Sequence, residues 1–118
     1  KGLVIYLGHE TNIHKMYSDI DIVCLPSWRE GFPKVIMEAA SFGIPVITTD
    51  VPGCRDAVIN NKTGIIVPVR NAIKLAEAIK KLFKNSSLRK KMGEENRKLA
   101  IKNFDLNVII PKIVNLYE

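Results

Sequence analysis

The chain has 118 residues, enough for one domain. Its 47% hydrophobic and 25% charged residues suit a soluble globular protein, and no apolar run reaches the ~18 residues of a spanning helix. The net charge is +6, with the excess late in the chain at Lys80-Lys81, Lys84, Arg89-Lys90-Lys91, Arg97-Lys98 and Lys102. Such a surface suits an anionic membrane or a phosphorylated substrate. It suits nucleic acid poorly, because no run of aromatics lies among the cations for base stacking.

Lys1-Gly2 leads straight into a strand-like run, Leu3 to Leu7, with no signal peptide in front. The abrupt start without Met gives the look of a piece of something longer. Asn12 to Ser18 has Ile13, Met16 and Tyr17 at helical spacing. Asp21 to Leu25 reads as a buried strand, and Pro26-Ser27-Trp28-Arg29 as the loop beyond it. Pro33 suits a first helical position, where its missing N–H lacks a partner anyway. The helix it opens should stop at Gly43. Ile44 to Thr48 is the next strand, and Asp50 to Gly53 is turn chemistry. Arg55 to Ile59 suggests one helical turn, Asn60 to Gly64 a turn, and Ile65 to Val67 a short strand. Asn71 is placed to cap a helix with Ile73, Ala76, Ile79, Leu82 and Phe83 inward. Ser86 or Ser87 should cap the next, running to about Asn103. A last helix should begin near Leu106, with Pro111 able to kink it. Alternating strands and helices predict an α/β fold with a parallel sheet covered on both faces. Cys24 falls in a strand and Cys54 in a loop, without CxxC spacing. The expectation is a buried thiol and a partly exposed one, in a reducing cytoplasm.

The turn from the Asp21–Leu25 strand into the Pro33 helix carries the chemistry. Glu30 and Glu38 bracket it, with seven residues between them. In an open α/β sheet, ligands bind outside the carboxyl ends of the strands. The unpartnered N–H groups at a helix start, with the helix dipole, form an anion site. Gly31 lets the backbone approach a ligand closely. Helical spacing puts Lys34, Glu38 and Ser41 on one stripe and Val35, Ile36, Ala39 and Ala40 toward the core. Glu38 stands about 7.5 Å along the helix, a suitable reach from a diphosphate at the helix end to the ribose hydroxyls. Glu30 precedes the helix end, toward a sugar. The plain alternative is an exposed loop acid and a Lys34–Glu38 pair in the less favourable order.

The run Pro26-Ser27-Trp28-Arg29-Glu30-Gly31-Phe32-Pro33, then Glu38-Ala39-Ala40, Gly43 and Pro45-Val46-Ile47, resembles the signature of the family 4 retaining glycosyltransferases. Gly64-Ile65-Ile66-Val67-Pro68 and the C-terminal helices fit the same family. The resemblance implies a GT-B fold, two Rossmann-like domains with a cleft between. Residues 1–118 would be part of the C-terminal, donor-binding domain, without the N-terminal acceptor domain. It implies Glu30 near the transferred sugar, as the catalytic candidate in positioning and electrostatics. It implies Gly31, Phe32 and Pro33 at the sugar hydroxyls, Lys34, Val35 and Ile36 at the donor phosphates, and Glu38 at the ribose. No metal or other cofactor is implied, and His9 and His14 lack partners at metal spacing. The implied donor is a nucleotide-sugar such as a UDP-sugar, and the acceptor a glycan or lipid-linked sugar. Pro52-Gly53-Cys54-Arg55-Asp56 resembles members that build bacterial surface glycans. The upstream phosphate-binding Arg and Lys of the family are not in these residues, nor is the acceptor-binding domain, and a site built from two domains should be inactive with one of them absent. The cysteine usage suggests a cytoplasmic location, and the basic helices from Lys80 to Lys102 suggest peripheral contact at the inner face of an anionic membrane. The other readings are a non-catalytic basic α/β module docking on a membrane or partner, and a GT-B sugar-nucleotide epimerase.

Overall fold

The computed structural model describes residues 17–26 and 34–104. The Leu3–Leu7 strand, most of the Asn12–Ser18 helix and the helix expected from Leu106 lie outside them. Tyr17 and Ser18 are helical. Three strands follow, β1 (Val23–Leu25), β2 (Val46–Thr49) and β3 (Gly64–Val67). They form one parallel sheet in the order β1-β2-β3, with Val23 opposite Val46 and Val46 opposite Gly64. Helix α1 (Lys34–Ser41) connects β1 to β2, and α2 (Cys54–Ala57) connects β2 to β3. Helices α3 (Ala72–Lys84) and α4 (Ser86–Phe104) complete the described chain.

Strand alternation sorts the core into two layers. Val23 and Val46 face α1 and α2 and pack with Ile36, Ala39, Val51, Cys54 and Val58. Ile22, Ile47, Ile65 and Val67 face the other way and pack with Ala78, Leu82 and Met92 of α3 and α4. Both faces of the parallel sheet are therefore covered, as its apolar strands require.

The inward face of α3 differs from the expected one. Leu82 and Ala78 are buried and Leu75 and Ile79 half-buried, whereas Ile73, Ala76 and Phe83 point outward. Leu75, Ala78, Ile79 and Leu82 follow the i, i+3, i+4, i+7 spacing of a single stripe. The expected set spread too far around the helix to meet one flat sheet. The capping of α4 also differs. Asn85, not Ser86 or Ser87, accepts the Leu88 N–H at 2.9 Å, while its own N–H closes α3 on Leu82 O. One residue ends α3 and starts α4, so both serines fall inside the helix. Asn71 caps α3 as expected, accepting from the Lys74 N–H at 2.9 Å.

Gly43 ends α1 with φ +69. Its N–H returns to Ala40 O and that of Ile44 to Ala39 O, the paired closure that a left-handed glycine permits. Helix α4 packs on this end. Its first half lies under α3 through Leu88 and Met92, and its second half reaches α1 past the residues preceding β2. A Cβ on Gly93 would meet Gly43 O at 2.1 Å, so only glycine admits this approach. The next turn supplies polar locks: Asn96 Nδ2 donates to Ile44 O at 2.8 Å, and the Arg97 guanidinium donates to Ser41 O.

Gly93→Ala should therefore destabilise the chain. Helix propensity favours alanine by ~1 kcal/mol, but a backbone overlap of this depth costs about 1–3 kcal/mol or more. The expected result is a lower urea midpoint with an unchanged m-value; an unchanged or raised midpoint would mean that α4 shifts freely.

Candidate functional site

Helix α1 follows β1 in chain order. Glu30, Gly31, Phe32 and Pro33 fall outside the described residues. At the helix start, Lys34 is exposed, Val35 half-buried and Ile36 buried. Ile36 can therefore face a ligand only through its backbone N–H, because its side chain belongs to the core. N–H groups in the first turn of a helix lack intrahelical acceptors, and the exposed Lys34 adds a cation.

The expected polar stripe is not solvent-facing. Every residue from Ile36 to Ser41 is buried, including Glu38 at 1% exposure. The sheet covers one side of α1 and α4 the other. Ser41 settles its hydroxyl locally, donating to Met37 O at 2.9 Å. Lys34 and Glu38 end in different environments, one in water and one buried, so the plain pairing of the two loses its basis. A buried carboxylate about one turn inside the helix start is the informative feature of this end of the molecule.

The carboxyl edge of the sheet frames it. Thr48 Oγ1 donates to Leu25 O at 2.9 Å, tying the carboxyl end of β1 to β2. The strand reading had no signal for this role, since Thr is an ordinary strand residue. Beyond β2, Arg55 and Asp50 pair at 3.2 Å on the surface. A cavity of about 350 Å³ opens along this edge, lined by Pro26, Thr49, Val67, Pro68, Arg70 and Asn71 among others. It draws on the ends of all three strands and on the first turn of α3, toward the face opposite α1. The cysteines reverse their expected settings. Cys54 is fully buried at the start of α2, while Cys24 is half-buried, and burial pushes its thiol pKa up. Cys54 opens a helical turn pressed against the first core layer, which an apparent loop position concealed. Among the described residues, no three of His, Cys, Asp and Glu gather into a metal-holding group.

Residues 1–99 match the family described as Glycosyl transferases group 1. The chain belongs to this family. The capsular polysaccharide biosynthesis glycosyltransferase CapM of Staphylococcus aureus is 34% identical over 115 residues, covering 98% of this chain and 30% of CapM. The N,N'-diacetylbacillosaminyl-diphospho-undecaprenol alpha-1,3-N-acetylgalactosaminyltransferase of Campylobacter jejuni is 32% identical, covering 99% of this chain and 31% of that protein. A solved variant of Staphylococcus aureus TarM, in complex with fondaparinux, alpha-GlcNAc-glycerol and UDP, is 27% identical. It superposes with a TM-score of 0.76 over 90% of this chain and 22% of its own. This group 1 chain thus spans about a third of the curated relatives it matches. Its sheet and helices are the Rossmann-like α/β arrangement of GT-B glycosyltransferases.

In this group 1 domain, Thr48→Val should cost about 1 kcal/mol, the worth of one hydrogen bond whose acceptor can find water. Amide exchange should accelerate at Leu25 and Pro26's neighbours more than in α3. Uniform acceleration across the domain would show that Thr48 acts on global stability and not on the strand end.

Proposed function

We propose that this chain is the donor-binding part of a retaining, family 4 type glycosyltransferase that transfers a sugar from a UDP-sugar to a glycan or lipid-linked acceptor. The observation that carries the reading is Glu38, a carboxylate at 1% exposure one turn inside a helix that starts outside the sheet's carboxyl edge. A carboxylate placed there can accept hydrogen bonds from a ligand held at the carboxyl edge of the sheet. Two ribose hydroxyls are donors of the right number and reach. The N–H groups of Lys34, Val35 and Ile36, with the Lys34 ammonium, take the diphosphate. Glu30, Gly31, Phe32 and Pro33 take the sugar. As the glycosidic bond to the diphosphate breaks, positive charge grows on the sugar ring and negative charge on the leaving phosphate. Glu30 stabilises the first and the helix end the second. The leaving phosphate accepts the proton of the acceptor hydroxyl, which attacks from the same face and so retains configuration. In this reading residues 1–118 form part of a C-terminal domain, and a second domain holds the acceptor.

The UDP in the TarM complex supports the nucleotide, and the undecaprenol-linked substrate in the Campylobacter enzyme's name supports a lipid-linked acceptor. Family membership favours transfer over a non-catalytic docking module and over an epimerase. A cytoplasmic enzyme acting on a lipid-linked acceptor would meet the bilayer from its inner face.

The test is calorimetric titration of UDP against Glu38→Gln, Glu38→Ala and Glu30→Ala in the complete protein, with circular dichroism to establish folding. Both Glu38 variants should lose about ten- to a hundredfold in UDP affinity, from ~1.5–3 kcal/mol per hydrogen bond to a charged group. Glu30→Ala should keep UDP affinity and lose turnover. Folded Glu38 variants with parental affinity would overturn the ribose assignment, and loss of UDP binding in Glu30→Ala alone would reverse the two roles.

A further inference from the structure

Residues 72–104 carry ten Lys or Arg against three Glu, a net of +7, while all other residues net −1. Part of this charge is occupied. Arg89 caps α3 and Arg97 caps α1, Lys74 pairs with Glu77 at 3.6 Å, and Lys98 pairs with Glu95 at 3.3 Å. Lys80, Lys81, Lys84, Lys90, Lys91 and Lys102 are exposed, and none has an acid partner among the described residues.

Three large apolar side chains stand among them: Ile73 at 73% and Phe83 at 54% exposure on α3, and Ile101 at 56% on α4. At 100° per residue, Ile73, Ala76, Lys80, Phe83 and Lys84 fall within about 100° of arc, away from the inward stripe of Leu75, Ala78, Ile79 and Leu82. Ile73 and Phe83 are ten residues apart, about 15 Å along the axis. Two anchors at that separation hold a helix flat against a surface.

We propose that this outward stripe of α3 is a docking surface for an anionic lipid bilayer. Ile73 and Phe83 enter the boundary between headgroups and acyl chains, and Lys80 and Lys84 extend their stems over it to reach lipid phosphates. Lys81, Lys90 and Lys91 strengthen the attraction from the same two helices. An acidic protein or nucleic acid would pair with the lysines but gives Ile73 nothing to enter. The combination of apolar anchors and unpaired ammonium groups matches the layered chemistry of a bilayer. The proposal rests on the lipid-linked acceptor reading for its purpose only; the surface stands on exposure and charge.

The experiment is flotation of the full chain with phosphatidylcholine vesicles and with vesicles containing phosphatidylglycerol, at low and high salt. UDP titration runs on the same samples. Lys80→Gln/Lys84→Gln and Ile73→Ser/Phe83→Ser alter only exposed side chains, and urea unfolding verifies that stability is kept. The parent should bind anionic vesicles alone and release them at high salt. The lysine pair should lower partitioning about thirtyfold, and the apolar pair at least about tenfold. UDP affinity should not change in either. Equal binding to neutral vesicles would overturn the proposal. So would tight binding to polyglutamate or polyuridylate with Ile73→Ser/Phe83→Ser silent, which would mark a site for an acidic macromolecule. Vesicle binding without UDP binding in the parent would support docking and count against the donor reading.

Discussion

The backbone contact between Gly43 and Gly93 is the constraint on which the rest of the site depends. Helix α1 has eight residues, too few to be stable alone. Its order comes from being held between the sheet and α4. At 1.5 Å per residue it is about 12 Å long, so fixing its carboxyl end fixes where its first N–H groups point. The glycine pair sets the distance of α4, and Asn96 and Arg97 set its rotation by binding Ile44 O and Ser41 O. A site at the upper edge of the sheet is thereby aimed by packing at the lower edge. A bulkier residue at 93 would tilt α1 without touching any ligand.

The polar groups buried around α1 divide by what explains them. Ser41 returns its hydroxyl to the preceding turn, a local solution that needs no partner elsewhere. Asn96, at 0% exposure, serves the chain reversal before β2 through its amide nitrogen. Both secure the geometry of α1. Glu38 is the only acid of α1, buried at 1% exposure about one turn inside its start. An ionisable group buried beside a helix start near the carboxyl edge of a parallel sheet is a candidate ligand contact.

Much of this was readable from residue order. The alternation of strands and helices, the stop at Gly43 and the cap at Asn71 each rest on local chemistry, and local chemistry survives folding. What escaped the sequence depends on neighbours distant in the chain. In α3, apolar residues at 72, 73, 75, 76, 78, 79, 82 and 83 form overlapping stripes, and only the sheet decides which stripe turns inward. The end of α1 at Ser41 is met by α4, whose Arg97 donates to Ser41 O from 56 residues downstream. Cys54 looked like a loop residue because the four-residue helix it opens is too short to show a period. Glu30 to Pro33 were legible only as motif chemistry, and their part in the site rests on that reading.

The basic residues separate by chemistry in a way that bears on function. Both arginines of α4 that contact backbone serve helix ends: Arg89 donates to Leu82 O and Phe83 O, and Arg97 to Ser41 O. A planar guanidinium has several fixed donors, so it can bind carbonyls at the negative end of a helix while keeping its charge. Lysine lacks that fork, and the lysines of α3 and α4 are left in water on flexible stems. Charge that serves only solubility would be expected to mix signs across the surface. Here the unpaired ammonium groups collect on two consecutive helices, one of which also exposes Ile73 and Phe83. The core of α3 is complete with Leu75, Ala78, Ile79 and Leu82, so folding does not require those two apolar side chains. Their exposure costs free energy in water, and a second environment that removes them from water is the physical reason for them to be there.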